Sequence, residues 1–284
     1  MRNPALVALA CLLTSSAMWG LSWLPLHGLR AAGIDGILVV AIAFGAAALL
    51  ALPALVVQRV AWRGRGHWLL AIAALGGFAN LAFTLAMSYG EVVRVMVLFY
   101  LLPVWGVLGG WIFLGERPHR MRLVAMFAAL AGAGLILGAD TVLGIRLAWP
   151  DWLAIACGLT FTGNNLVFRQ RQDLPLASKT AAMLLGAPLL AGALLGLGVQ
   201  SATMPSVTAT GLAALYGLGV ATATALTQVG VTHLEAGRVA ILIVLELVVA
   251  VVSAVLLGAD TLDAREWAGV TLVLTAAVLE ARDA

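Results

Sequence analysis

Residues 92–117 read VVRVMVLFYLLPVWGVLGGWIFLGER, and this stretch decides the fold. From Val92 to Leu114 the only charge is Arg94, and Glu116 and Arg117 then close the run. A helix needs about 20 such residues to cross a bilayer core of about 30 Å, so the stretch reads as one transmembrane helix. Proline inside it removes a backbone donor: Pro103 leaves the Phe99 carbonyl without its intrahelical partner and is the expected hinge of a bend at mid-depth.

Nine further runs of this kind surround it, at Pro4 to Leu26, Gly36 to Val57, Trp68 to Tyr89, Leu123 to Ala139, Trp152 to Phe168, Thr180 to Val199, Gly211 to Val231, Ala236 to Leu257 and Trp267 to Leu279. The composition agrees, with 63% hydrophobic and 10% charged residues among 284, against roughly a quarter charged in soluble domains. An all-α, polytopic membrane protein of ten helices is expected. The apolar stretch from Pro4 to Leu26 is longer than the apolar region of a signal peptide, which favours a retained first helix. Sixteen basic against thirteen acidic residues give no support for nucleic-acid binding. Cys11 and Cys157 sit inside apolar runs without metal, haem or redox spacing and read as small buried hydrophobes. No cofactor or metal ligand set is expected.

Basic residues retained on the cytoplasmic side set the orientation. With ten spans, one side holds twelve Lys and Arg and the other four (Arg30, Arg94, Arg146 and Arg265), which places both termini in the cytoplasm, expected here as the inner membrane of a bacterial-type cell. Sliding the second half by 144 residues superposes the run pattern without gaps. Glu91 and Arg94 then fall on Glu235 and Arg238, Glu116 on Asp260, and Asn80 and Thr84 on Thr224 and Gln228. Five helices per unit is an odd number, so the second copy enters the membrane from the opposite side. Two inverted repeats, residues 1–144 and 145–284, are therefore expected around a site near the midplane.

Specific residues carry a family resemblance. Trp19-Gly20-Leu21-Ser22 is similar to the motif that opens EamA-type members of the drug/metabolite transporter superfamily. Leu102-Pro103-Val104 followed by Leu114-Gly115-Glu116-Arg117 resembles their signature in the fourth helix, whereas Glu246-Leu247-Val248 and Gly258-Ala259-Asp260 depart from it by a leucine for proline and an aspartate for glutamate. The resemblance implies a basket of ten helices, with the first four of each half around a central cavity and the fifth and tenth outside. It also implies export of small metabolites, with amino acids, including aromatic ones, as the nearest substrate class.

Unpaired polar groups are costly in hydrocarbon, so polar residues in mid-run should face protein or a watered cavity. Asn80 with Thr84, and Thr224 with Gln228, each share a helix face. They read either as substrate-binding groups or as polar glue between helices, worth about 0.6 kcal/mol per contact. Ser16, Trp19, Ser22 and Trp23 stand in the first run against Thr160, Thr162, Asn164 and Asn165 in the sixth. Asn164, on the face of Thr160, is chosen for the cavity, and Trp19 for its wall or for packing. Glu246 is the one acid near the middle of any run, and an intramembrane carboxylate is a functional candidate by default. Tyr100, beside the Pro103 bend, joins it. Glu91 with Arg94 and Glu235 with Arg238 form (i, i+3) pairs at the starts of the fourth and ninth runs, read as topological anchors or gates. Gly106 with Gly110, Gly134 with Gly138 and Gly192 with Gly196 mark close helix packing.

The expected function is a secondary transporter exporting a small-molecule substrate, an amino acid or similar metabolite, by alternating access. No P-loop, HExxH or nucleophile elbow is present to drive ATP-dependent pumping or hydrolysis. A proton-coupled multidrug or nucleoside exporter, with Glu246 as coupling group, is the first rival. A membrane enzyme acting on lipids is the second, but His27, His67, His119 and His233 are scattered over separate run ends. Monomer and homodimer both remain open.

Overall fold

A computed structural model describes residues 4–34, 36–90, 92–138, 147–199, 205–257 and 262–282. Among the described residues every apolar run is helical, and no strand occurs. The first run forms α1 (Pro4–Gly20) and α2 (Trp23–Ala31). The second forms α3 (Gly36–Val39), a π-helical turn (Val40–Phe44) and α4 (Gly45–Val57), followed by the short α5 (Arg59–Trp62). The third is α6 (Gly66–Tyr89). The fourth contains α7 (Val92–Phe99), α8 (Leu102–Gly109) and a second π-helical turn (Gly110–Leu114), and the fifth is α9 (Arg120–Leu137). The sixth, seventh and eighth are α10 (Trp149–Gln170), α11 (Leu176–Gly196) and α12 (Val207–His233). The ninth splits into α13 (Ala236–Ile243) and α14 (Leu245–Leu256), and the tenth is α15 (Ala264–Arg282).

Eight runs, all but the sixth and tenth, are long and apolar enough to cross a membrane. In α10 the dilution comes from Thr160, Thr162, Asn164 and Asn165, and in α15 from Arg265, Glu266, Glu280 and Arg282. The outer surface is apolar: Leu49, Val57, Phe113 and Phe127 are 63 to 80% exposed, as suits contact with lipid. The chain is a multi-pass membrane protein.

Helix crossings are closest where glycine removes the side chain. Gly77 of α6 meets Gly186 of α11, where an added Cβ would lie 2.4 Å from the Gly186 carbonyl carbon. Gly132 of α9 and Gly269 of α15 meet in the same way, so the fifth and tenth runs pack on each other. Gly106 lies against Ala240, and Gly110 against Ala236 and Glu116, as their spacing led us to expect. Gly192 and Gly196 do not: nothing lies within 4 Å of a Cβ added there, because their face of α11 looks outward.

The third run packs on the sixth and the eighth on the first, the third on the seventh and the eighth on the second, the ninth on the first and the fourth on the sixth. The fourth packs on the ninth, and the second on the seventh. Exchanging the two halves maps this set of neighbours onto itself. The bundle has two ends: the Tyr89–Trp149 ring contact and the Arg94–Asp151 ion pair mark one, and the Arg65–Asp173 pair the other.

The fourth run is interrupted at Tyr100 and Leu101, immediately before Pro103 near the start of α8. One of the two expected ion pairs, Glu235 with Arg238, differs from expectation. Glu235 is the N-cap of α13 with an extended backbone, so its carboxylate does not lie along the helix toward Arg238 but reaches Arg122 of α9. The Arg238 guanidinium donates to the Ala281 carbonyl at 3.4 Å. Arg94 pairs with Asp151 of α10 at 3.1 Å, and Glu91 lies outside the described residues.

Candidate functional site

A cavity of about 220 Å³ lies within the bundle, walled by the first, third, fourth, sixth, seventh, eighth and ninth runs. Run by run, the wall is built from short helical stripes. The third run supplies Asn80, Phe83 and Met87, spaced (i, i+3, i+7), and the eighth supplies Thr224, Thr227 and Gln228. The ninth supplies Ile243, Glu246 and Ala250, and the first supplies Ser15, Ser16, Trp19, Ser22 and Trp23. The fourth brings Met96, Phe99 and Tyr100, and the sixth Cys157 and Phe161.

At the centre the Tyr100 hydroxyl donates to Glu246 Oε1 at 3.0 Å, joining the two interrupted runs. Each of these residues sits at the break of its own run: Tyr100 within the interruption, Glu246 in the first turn of α14. The Phe99 ring lies 5.0 Å from Phe83, 5.3 Å from Tyr100 and 6.4 Å from Phe161, an aromatic cluster beside that pair. Both indoles on the wall are held by their N–H groups, Trp19 by Thr227 Oγ1 at 3.4 Å and Trp23 by Ser253 Oγ at 3.0 Å.

Six of the residues chosen from sequence meet on this cavity: Trp19, Asn80, Tyr100, Thr224, Gln228 and Glu246. Thr84 and Asn164 do not. Thr84 donates to the Asn80 carbonyl within α6, and the stripe passes through Phe83 instead. Asn164 is fully buried behind the wall, its amide donating to Asn165 Oδ1 at 3.1 Å and to Met183 Sδ at 3.6 Å, against the helix face left open by Gly76. Gln228 donates to the same sulfur at 3.3 Å, so Met183 links the two amides. Pro103 stays off the wall. The aromatic cluster and Met183 went unread, although Phe83 carries a signal, lying one helical turn from Asn80.

The end of the bundle beyond Gln228 is tied by charges. Glu116 accepts from Arg169 at 2.9 Å and from the Ala236 amide at 2.7 Å, and Arg169 also donates to the Thr232 carbonyl at 3.1 Å. Arg122 pairs with Glu235 and, at 3.5 Å, with Glu280. Fully buried Lys179 donates to the carbonyls of Phe168 and Arg171 at 2.8 and 2.9 Å, capping the end of α10 from α11. Outside the membrane-spanning runs at this end, desolvation acts to raise the Asp173 carboxyl, but the Arg65 hydrogen bond and the charge of Arg171 outweigh it and hold the group below its ordinary value.

The comparisons agree with the architecture. Residues 6–138, a little under half of the chain, match the EamA-like transporter family, so this stretch is similar to that family of membrane transporters. A protein of known crystal structure superposes with a TM-score of 0.80 at 18% identity, over 96% of this chain and 95% of that one, a likeness of fold. No curated protein matches the sequence.

Proposed function

We propose that this chain is a secondary transporter that moves a small amine-bearing metabolite, an amino acid or an organic amine, out across the cytoplasmic membrane by alternating access of two inverted halves, residues 1–144 and 145–284. The observation that carries the reading is the cavity itself: mid-run polar groups from both halves surround it, while charged groups tie the bundle beyond one of its ends. The odd number of helices per half, and neighbour relations that survive exchange of the halves, support the inverted repeat. Glu246 would hold the substrate ammonium, with Asn80, Tyr100, Thr224 and Gln228 fixing its orientation and Trp19 covering its apolar part. Arg122, Glu116, Arg169 and Glu235 would close one end and Arg94 with Asp151 would close the other, each set parting in turn.

The test is counterflow in proteoliposomes with labelled amino acids and amines, with and without a pH gradient. Saturable exchange without ATP is the expected result, and a protein that exchanges none of them would refute the reading. Proton coupling has its own support, since Glu246 is the one acidic group on the wall among the described residues. In that case a pH gradient drives uptake, and Glu246→Gln abolishes the gradient dependence while impairing counterflow less severely.

A further inference from the structure

We infer that the cavity recognises an organic monocation, an amine with an apolar or aromatic body and no carboxylate, in preference to a zwitterionic amino acid. The inference rests on the transport reading above for its biological meaning, and on the wall alone for its chemistry.

The charge inventory comes first. Glu246 is the single charged side chain on the wall among the described residues, with no Lys, Arg or His beside it. An ammonium finds its counter-ion there. The carboxylate of an amino acid would be carried into the same space without one, and an uncompensated buried anion is strongly disfavoured.

The donor inventory points the same way, since donors could have replaced the missing cation. Many of those the wall does carry are spent on the protein itself, and the hydroxyls of Ser16, Ser22 and Thr224 add neutral donors but no positive charge. The Asn80 amide donates to the Gly76 carbonyl at 2.8 Å, and the Gln228 amide to Met183 Sδ. Both indole N–H groups are bonded, as described above, and the Tyr100 hydroxyl is given to Glu246. Ser15 and Thr227 donate to the Leu12 and Ala223 carbonyls in their own helices. The thioether of Met183 fixes which way the Gln228 amide points, because sulfur accepts and does not donate, and it leaves the buried Oε1 without a protein donor beneath the wall. A ligand bearing N–H donors and positive charge finds its acceptor and counter-charge in the Glu246 carboxylate, of which Tyr100 occupies only Oε1.

The aromatic groups complete the match. The rings of Phe83, Phe99 and Phe161 beside the Tyr100–Glu246 pair, with Trp19 and Trp23, offer π-electron density to a cation and apolar surface to its body. A volume of about 220 Å³ suits a ligand with one ring and a short chain rather than a drug-sized one.

The experiment is calorimetric titration of the purified full chain in lipid nanodiscs at neutral pH with three probes of one shape: phenethylamine, phenylalanine and 3-phenylpropionate. Phenethylamine should bind at least about tenfold more tightly than phenylalanine, and 3-phenylpropionate should not bind. Glu246→Gln should weaken phenethylamine about ten- to hundredfold, the usual range for losing a charged hydrogen-bond partner. Glu246→Asp, which keeps the charge, should retain the ranking, so the result does not depend on how well the glutamine variant folds. Phenylalanine binding as tightly as phenethylamine, binding of none of the three, or an unchanged ranking in a well-folded Glu246→Gln protein would overturn the assignment. Counterflow of amino acids alone would remove the cation preference and leave transport standing. Selective, Glu246-dependent amine binding without any counterflow would do the reverse.

Discussion

The fourth and ninth runs are interrupted at positions 144 residues apart, Tyr100 and Val244, yet only the fourth has a proline there. In the ninth, Leu247 occupies the place equivalent to Pro103, and the chain still breaks: the Val244 amide bonds the Ile241 carbonyl at 3.2 Å and the Leu247 amide bonds Val244 at 3.1 Å, both tighter turns than an α-helix makes. A break at this place therefore does not require proline. The residues at the two breaks have diverged, one supplying a phenol and the other a carboxylate, and the two bond to each other across the cavity. Similar backbone breaks carrying different side chains thus let two runs meet in one asymmetric site.

The largest expected effect lies on the polar side of this comparison. Glu246→Gln should lower transport in proteoliposomes about a hundredfold, whereas Tyr100→Phe, which removes only the neutral partner, should cost about tenfold or less. Equal losses would mean that the pair acts as a unit. Next comes packing. Gly106→Val in the fourth run would push a side chain into Ala240, whose Cβ lies 2.3 Å from an added Cβ, and should destabilise the protein by about 1 to 3 kcal/mol, read as a lower melting temperature in detergent. Its counterpart in the ninth run, Ala250, lines the cavity, so Ala250→Val should spare the melting temperature and shift substrate affinity. Pro103→Ala should matter less again: the interruption should persist, with transport within about threefold of the parent, because the ninth run manages without proline. A continuous helix in spin-label distances across Tyr100 would contradict this.

The smallest effect serves as a control far from both breaks. The lowered pKa of Asp173 means that its contribution is complete at neutral pH and is lost as the pH falls through that lowered value. Acid unfolding should therefore be slightly less steep in Asp173→Asn, with no effect near neutrality beyond the loss of an exposed ion pair.

Much of this frame was legible because hydrocarbon imposes a simple demand, about 20 apolar residues per crossing. The sixth and tenth runs form helices where expected but fall short in apolarity, since protein contacts, not lipid, accept Asn164 and Glu280. The cavity was half legible. Polarity in mid-run found Asn80, Gln228 and Glu246, but it cannot distinguish a wall from the layer behind it, and Asn164 sits in that layer, turned toward Met183. The Glu235–Arg238 pair was not legible because sequence spacing assumes helical geometry, and Glu235 stands just before its helix begins. Arg122, Glu116 and Arg169, counted only as topological charges or motif letters, form the tie at one end, a tertiary arrangement that no local pattern encodes.

The cap that Lys179 places on α10 bears on how the chain enters the membrane during synthesis. Alone, α10 offers a translocon two asparagines, two threonines and open C-terminal carbonyls, a poor candidate for partitioning by itself. Once α11 emerges, the Lys179 ammonium can satisfy two of those carbonyls, and the seventh run, long and apolar enough to cross a membrane, can carry its neighbour in as a helical hairpin. Glycosylation-site mapping on chains truncated after Gln172 or after Gly198 would separate the steps: α10 should insert inefficiently in the first and fully in the second, and Lys179→Met should weaken the rescue. Equal insertion of the two truncations would make the sixth run an independent span.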